Sequence, residues 1–283
     1  MRARWIVVIA LFAVGVIIAA ALGVGAFLAA PASTEAGQNE PSSAADSGAP
    51  TEEDDDFGTV EVYTVNSDGT LDPEASGLTA EIWDTFIRVA TLDVVSKVMT
   101  QYRVGDAPDS DTLAYVYQDD DPSRWILAAN LATSENHNDL VATLVHEYAH
   151  ILTLGQDEVT GDYSSCDTIV LDEGCADADS AILGFEEQFW APYGDSAPAL
   201  NNADADVAYD FYLAHEDDFV SDYAATNAVE DIAESFMTWV VEDDPTGTSV
   251  VAQKFAFFDA YPTLVAVRER IRAEFADDLG LSV

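Results

Sequence analysis

Residues 144–152 read LVHEYAHIL, with two histidines four positions apart and a glutamate directly after the first. On an α-helix, His146 and His150 lie one turn apart on the same side, so both imidazoles can reach one tetrahedral zinc ion. Glu147 is rotated by about 100° from His146 and cannot easily bind the same ion. It can instead accept a proton from a zinc-activated water and pass one to a leaving amine. The stretch predicts a metal-binding helix that still needs a third ligand.

This helix is predicted to lie within residues 135–155, ENHNDLVATLVHEYAHILTLG. Asn138 suits the N-cap position, Asp139 favours the positive end of the helix, and Gly155 suits the end of it. The alternative is an ordinary buried helix whose two histidines are satisfied by protein groups. That alternative needs neither the four-residue spacing nor the glutamate, so the pattern favours zinc.

The third ligand is not supplied by a histidine downstream of the motif. The pattern HExxHxxGxxH fails, because Thr153 and Gln156 occupy the positions of its glycine and last histidine. His137 lies nine residues ahead of His146, about two and a half helical turns away, and is badly placed. His215 has no supporting pattern around it. A carboxylate is therefore the expected third ligand.

The best candidate carboxylates lie in residues 219–236, FVSDYAATNAVEDIAESF. Glu230 and Glu234 are four apart and share one helix face, whereas Asp231 points away from it. Glu234, one turn after Glu230, could hold the other ring nitrogen of a ligand histidine. Asn227 followed by Glu230 also has the spacing of a capping box, which would explain a glutamate at that position without any metal.

Together with HEYAH, the segment YAATNAVEDIAE (residues 223–234) resembles the zinc site of gluzincin peptidases of the anthrax lethal factor type. It is also similar to bacterial proteins described as zinc-binding metallopeptidases. The resemblance implies Zn²⁺ as cofactor, Glu230 as third ligand, and Tyr223 as hydrogen-bond donor to the oxyanion of the tetrahedral intermediate. The resemblance is limited to these two short segments. It implies nothing about the substrates of anthrax lethal factor or its cell-entry domains.

The hydrophobic patterning predicts an α+β domain, mostly helical and zincin-like, with a small sheet ahead of the HExxH helix. Residues 112–118 and 125–132 are expected to be strands, and the second is the candidate edge strand along which a substrate peptide would lie. Amphipathic patterns predict further helices, at residues 74–102, 181–190, 205–217, 226–243 and 262–278.

The N-terminal part of the chain points to export. Residues 1–30 contain two arginines near the start and then no charge from residue 5 onward, which is typical of a signal anchor that spans the membrane or of a long signal peptide. Residues 31–57 are rich in Ser, Ala, Pro and acid and are expected to form a disordered stalk. Residues 58–283 are then the metallopeptidase domain, placed outside the cytoplasm.

Charge and cysteine content agree with that placement. Ten lysines and arginines stand against 53 aspartates and glutamates, a net charge of −43. Such a surface repels nucleic acid and anionic lipid headgroups, so both are poor candidates as partners. Cys166 and Cys175 are expected to form a disulfide in an exported chain, the alternative being a thiolate metal site.

These features predict an extracytoplasmic zinc metallopeptidase with Glu147 as general base, acting on a peptide or protein substrate. One alternative is a surface binding protein that zinc stabilises, with little or no catalysis. Another is a zinc hydrolase of a non-peptide amide. A general base such as Glu147 is not needed in a purely structural site, which favours catalysis. The oligomeric state is left open.

Overall fold

A computed structural model of the chain describes residues 48–279, apart from residues 162 and 164. The fold is α+β, as predicted, with a main sheet, a set of helices and a small second sheet. The predicted signal anchor or signal peptide at residues 1–30 lies outside the described residues, as does most of the predicted stalk.

The main sheet has six strands and precedes the HExxH helix in the chain. Its strands are β1 (Thr51–Asp54), β2 (Gly58–Val65), β3 (Leu71–Asp72), β4 (Met99–Gly105), β5 (Ala114–Gln118) and β6 (Trp125–Asn130). The order across the sheet is β1-β2-β4-β6-β5, with β3 paired to β2. Only the β4–β6 pair is parallel among these strands.

The folded domain begins before residue 58, so the predicted disorder of residues 31–57 is wrong at its end. β1 pairs antiparallel with β2, and the Asp54 carboxylate accepts the backbone N–H groups of Asp56 and Phe57 in the turn between them. Phe57 is buried against Val60. Strand pairing uses the backbone, so it forms in a stretch whose acidic side chains stay in solvent.

The edge strand of the sheet next to α3 is β5, which corrects the assignment of residues 125–132 as the edge strand. β6 lies between β4 and β5, and every residue of it is buried. A run without a polar face is typical of a strand covered on both sides. Residues 131–132, predicted as the end of this strand, belong instead to a 3-10 turn, Leu131–Thr133.

The helices form the larger part of the domain. They are α1 (Gly77–Ala90), α2 (Leu92–Val98), α3 (His137–Leu154), α4 (Ala181–Phe185), α5 (Ala205–Ala214), α6 (Ala228–Val241), α7 (Val250–Phe258) and α8 (Pro262–Glu274). α4 continues as a π-helical turn through Trp190. α7 was not predicted.

The single helix predicted over residues 74–102 is two helices followed by a strand. Thr91 adopts φ 85°, an uncommon value for a β-branched residue, and its side chain accepts the N–H of Val94 at the start of α2. From Met99 the chain enters β4, which pairs with both β2 and β6. The pairing of a central strand overrides the helical spacing of apolar residues there.

α3 packs against α1, α6 and β5 and is buried along most of its length. Its N-cap is Asn136, whose side chain accepts the N–H of Asn138, so the helix begins earlier than the predicted cap at Asn138. Gly155 ends it, as predicted. The helix predicted at residues 226–243 corresponds to α6, whose apolar residues Ile232 and Phe236 are buried in the core.

A three-stranded antiparallel sheet follows α3, in the order β7-β9-β8. Its strands are β7 (Val159–Thr160), β8 (Val170–Leu171) and β9 (Gly174–Ala176). The predicted disulfide is confirmed, with an S–S distance of 2.04 Å between Cys166 and Cys175. It ties the segment before β8 to the middle of β9.

Within the described residues, no single helix has the length and apolar composition needed to cross a membrane, and only α7 and α8 together, bent by 98°, meet that test.

Candidate metal centre

Three side chains from α3 and α6 bring one donor atom each to a common point. Nε2 of His146 lies 3.0 Å from Nε2 of His150. Oε2 of Glu230 lies 3.3 Å from the first nitrogen and 3.5 Å from the second. Zinc–ligand bonds of about 2.0–2.1 Å in a tetrahedron separate neighbouring ligand atoms by roughly 3.3 Å. The triangle therefore has the size of one face of a zinc site.

The triangle contains a buried oxygen that no hydrogen bond among the described residues satisfies. Oε2 of Glu230 is buried and accepts no hydrogen bond from any described residue. The two facing ring nitrogens can share at most one proton between them if both imidazoles are neutral. Buried polar groups without partners are costly, and a cation bound to all three atoms removes that cost. Two imidazoles and a carboxylate are a normal zinc donor set.

Helix caps set the position of Glu230. The Asn227 side chain accepts the N–H groups of Val229 and Glu230, at 2.8 and 2.9 Å, and so starts α6. The Glu230 carboxylate faces the histidines of α3 rather than turning back to its own helix end. Asn227 therefore caps the helix as the spacing suggested, while Glu230 is free for the metal cluster.

Glu234 lies one turn after Glu230 and contacts the far side of a histidine ring. Its Oε1 accepts a hydrogen bond from Nδ1 of His146 at 2.9 Å, and the carboxylate is buried. Burial alone would lower the pKa of His146, but the carboxylates of Glu230 and Glu234 raise it well above its usual value. The placement matches the predicted one for Glu234.

Glu147 is buried on α3 and points toward the sheet edge. Its Oε2 accepts the backbone N–H of Val116 in β5 at 2.9 Å. Burial raises the pKa of Glu147 to about 7, against the opposing effect of His146 and His150. A carboxylate with a pKa near neutrality can both accept and return a proton.

Tyr223 lies beside the cluster in a 3-10 turn, Tyr223–Ala225, just before α6. Its ring centroid is 5.9 Å from that of His146, and the side chain is buried. Burial, together with the charges of Glu230 and Glu147, raises the pKa of the phenol well above its usual value. The hydroxyl group therefore stays protonated and remains a hydrogen-bond donor.

A cavity of about 360 Å³ opens beside the cluster. His150 and Glu230 line it together with Val116 of β5, and Asp172 and Glu173 reach it from the turn between β8 and β9. Burial raises the pKa of Glu173. No lysine or arginine is among the residues that line this cavity in the described part of the chain, so it is electronegative.

Asp231 points away from the cluster, as predicted, into a buried network that the sequence did not reveal. Its carboxylate contacts Nζ of Lys254 at 2.6 Å and accepts the indole N–H of Trp190 at 2.8 Å. Lys254 is 1% exposed and Asp231 is 0% exposed. The only sign of this network in the sequence was the lysine inside the largely apolar run VVAQKFAFF, because a lysine that is buried requires a partner.

The two remaining histidines lie away from the cluster, as expected. His137 is the first residue of α3 and its Nε2 is 3.7 Å from the Asp278 carboxylate. His215 ends α5 and its ring lies 4.6 Å from that of Tyr193. The backbone amide of Val116 was not predicted as part of the site, since a backbone group leaves no mark in the residue types.

No protein-family model and no curated protein matches this chain. Among solved structures, it is similar to the crystal structure of "a putative zinc-binding metallo-peptidase from Bacteroides caccae", with 17% sequence identity over 69% of this chain and 74% of the other. The TM-score is 0.36, which is too low to establish a shared fold or a shared activity.

Proposed function

We propose that the protein is a zinc-dependent metallopeptidase of the gluzincin type that acts outside the cytoplasm. The convergence of the His146, His150 and Glu230 donor atoms into one triangle, with Glu147 beside it, carries this proposal. The confirmed disulfide is typical of an oxidising compartment and supports the extracytoplasmic location.

His146, His150 and Glu230 would hold the zinc ion. A bound zinc ion would supply Lewis-acid chemistry that makes the attacking water more acidic and polarises the scissile carbonyl. Glu234 accepts the hydrogen bond of Nδ1 of His146 and so turns Nε2 toward the point where the metal would bind.

Glu147 acts as the general base. It accepts a proton from the attacking water and returns one to the nitrogen of the leaving amine. The hydrogen bond from Val116 occupies Oε2 and leaves Oε1 for that transfer. Tyr223 donates its hydroxyl hydrogen bond to the negative charge that develops on the carbonyl oxygen, and its raised pKa keeps the donor in place.

The substrate peptide lies along β5, whose outer side is unpaired in the sheet. An extended peptide can add to such an edge by backbone hydrogen bonds. A side chain next to the scissile bond then enters the 360 Å³ cavity that His150 and Glu230 border. The acidic surface and the acidic cavity favour neutral or basic peptides over acidic ones.

The second candidate function is a zinc-stabilised binding protein without catalysis, and a third is hydrolysis of a non-peptide amide. The position of Glu147 favours catalysis over the structural role. A site that only holds helices together gains nothing from a buried carboxylate, 5% exposed, beside the cluster.

Two variants and a control test the proposal. Glu147→Gln is expected to retain one zinc per chain and to lose cleavage of a broad peptide library. Glu230→Ala is expected to lose the zinc, whereas Asp210→Asn, a change at an exposed acid of α5, retains both zinc and cleavage. Tight zinc binding by Glu230→Ala contradicts the ligand set. Full zinc occupancy without cleavage of peptides or other amides favours the binding protein.

A further inference from the structure

Both oxygens of the Glu234 carboxylate are held by hydrogen bonds. Oε1 accepts from Nδ1 of His146 at 2.9 Å, and Oε2 accepts from the hydroxyl group of Ser221 at 2.5 Å. Glu234 is 2% exposed. A carboxylate fixed at both oxygens has one orientation, and this orientation is aimed at the histidine.

Ser221 also accepts a hydrogen bond. The backbone N–H of Ala224 donates to its Oγ at 3.0 Å. Since an amide can only donate and a carboxylate can only accept, the single hydroxyl hydrogen of Ser221 must point to Glu234. The hydroxyl therefore connects the Glu234 carboxylate to the turn that carries Tyr223.

The direction of this chain of hydrogen bonds determines which nitrogen of His146 keeps its proton when the other binds a metal. Because a carboxylate accepts only, Nδ1 of His146 carries a proton, and Nε2 is the nitrogen that faces the proposed metal site. Removing the serine hydroxyl leaves Oε2 without this donor and the carboxylate free to rotate. Orientation of the imidazole then weakens, although every direct ligand is still present.

We infer that Ser221 is a positioning residue of the metal centre, which aligns Glu234 and, through it, His146. This inference rests on the proposed zinc site. It assigns a role to a residue outside the HExxH motif and outside the YAATNAVEDIAE segment.

The first test is zinc affinity, measured by competition with a chromogenic chelator. Groups that support a metal-bound histidine typically change metal affinity by about 10–100-fold, and Ser221, one step further out, is expected to change it by about 3–10-fold. Ser221→Ala is therefore expected to bind zinc more weakly, and Ser221→Thr to restore wild-type affinity. Ser235→Ala is the matched control, because Ser235 follows Glu234 directly but its hydroxyl donates to Asp231 at 3.0 Å.

The second test separates positioning from a general loss of structure. In a Glu234→Ala background, Ser221→Ala is expected to cause no further loss of zinc affinity, because Ser221 acts only through Glu234. The visible spectrum of the Co²⁺-substituted protein is expected to change in Ser221→Ala and in Glu234→Ala and to stay as wild type in Ser235→Ala. If Ser221→Ala does not fold, Ser221→Thr and Ser221→Val, alike in shape, make the same comparison.

The outcomes are distinct. Wild-type affinity in Ser221→Ala, or an equal loss with and without Glu234, overturns the role of Ser221 and leaves the zinc site intact. If the wild-type protein binds no zinc, the proposed function fails, and the inference about Ser221 fails with it.

Discussion

The carboxylate of Glu147 on α3 accepts the backbone N–H of Val116 on β5 at 2.9 Å, so the candidate general base is held by the strand at the sheet edge. The strand proposed to bind substrate thus also orients the group proposed to move the proton. Val116 uses its N–H for Glu147, which leaves its carbonyl for a bound peptide.

Val116→Pro removes this hydrogen bond and is expected to lower kcat roughly tenfold, since hydrogen bonds to charged groups contribute about 1.5–3 kcal/mol. Proline is tolerated on an edge strand where the N–H faces away from the ladder. Gln118→Pro, two residues on and with the same orientation, is expected to retain kcat. Steady-state kinetics and zinc content provide the measurement, and an unchanged kcat in Val116→Pro contradicts this role.

Zinc affinity is expected to rise with pH. In the metal-free protein, burial works against protonation of His146, but Glu230 and Glu234 raise its pKa well above the usual value. Zinc must displace the proton that the raised pKa keeps on His146. Below this pKa, the affinity for zinc therefore rises by about tenfold per pH unit for each proton released. Titration calorimetry between pH 6 and 8, in buffers with different ionisation enthalpies, measures the release. Affinity that is independent of pH in this range is the contrary result.

Tyr223→Phe is expected to lower kcat by about 10²–10³, the usual effect of losing one oxyanion donor, with zinc affinity unchanged. The phenyl ring can keep the packing against His146. Tyr148→Phe is the control, because Tyr148 is a buried tyrosine of α3 outside the cluster, and burial raises the pKa of its phenol against the opposing effect of Arg270. Equal kcat in Tyr223→Phe and wild type shows that the phenol takes no part.

The buried Lys254–Asp231 pair is expected to matter for stability. Lys254→Met leaves Asp231 buried without its cation, and the free energy of unfolding is expected to fall by about 3–5 kcal/mol in urea titrations. Lys97→Met breaks an ion pair with Asp93 in which the two side chains are 68% and 79% exposed. This variant is expected to change the free energy of unfolding by at most about 1 kcal/mol. Similar small changes in both variants contradict the prediction.

The acidic cavity and surface are expected to favour cleavage of basic peptides. Matched Lys-rich and Glu-rich substrates are compared at low and at high salt, because the attraction between opposite charges is screened by salt. A higher kcat/KM for the Lys-rich peptide that declines with salt is the expected result. Equal rates at low salt contradict it.

Much of the candidate site could be predicted because it depends on spacing along two helices. Four-residue spacing places His146 above His150, and likewise Glu230 above Glu234, wherever the helices lie. The disulfide was predicted from two nearby cysteines in a chain that was expected to be exported. The apolar pattern from Glu74 to Tyr102 was misleading because β4 pairs with strands that are distant in sequence. The acidic stretch before Phe57 was misleading because β1 pairs with β2 in a local hairpin through backbone groups, which the acidic composition does not reveal.

The sequence by itself determined the helical faces, the kind of donor atoms and the zinc chemistry that they suit. Only the tertiary structure decided that β5 is the edge strand next to α3, that Val116 holds Glu147 and that Ser221 holds Glu234. Helix periodicity is local and is encoded in the order of residue types. Which backbone amide or hydroxyl meets a given carboxylate depends on how distant segments pack, and short patterns do not record that packing.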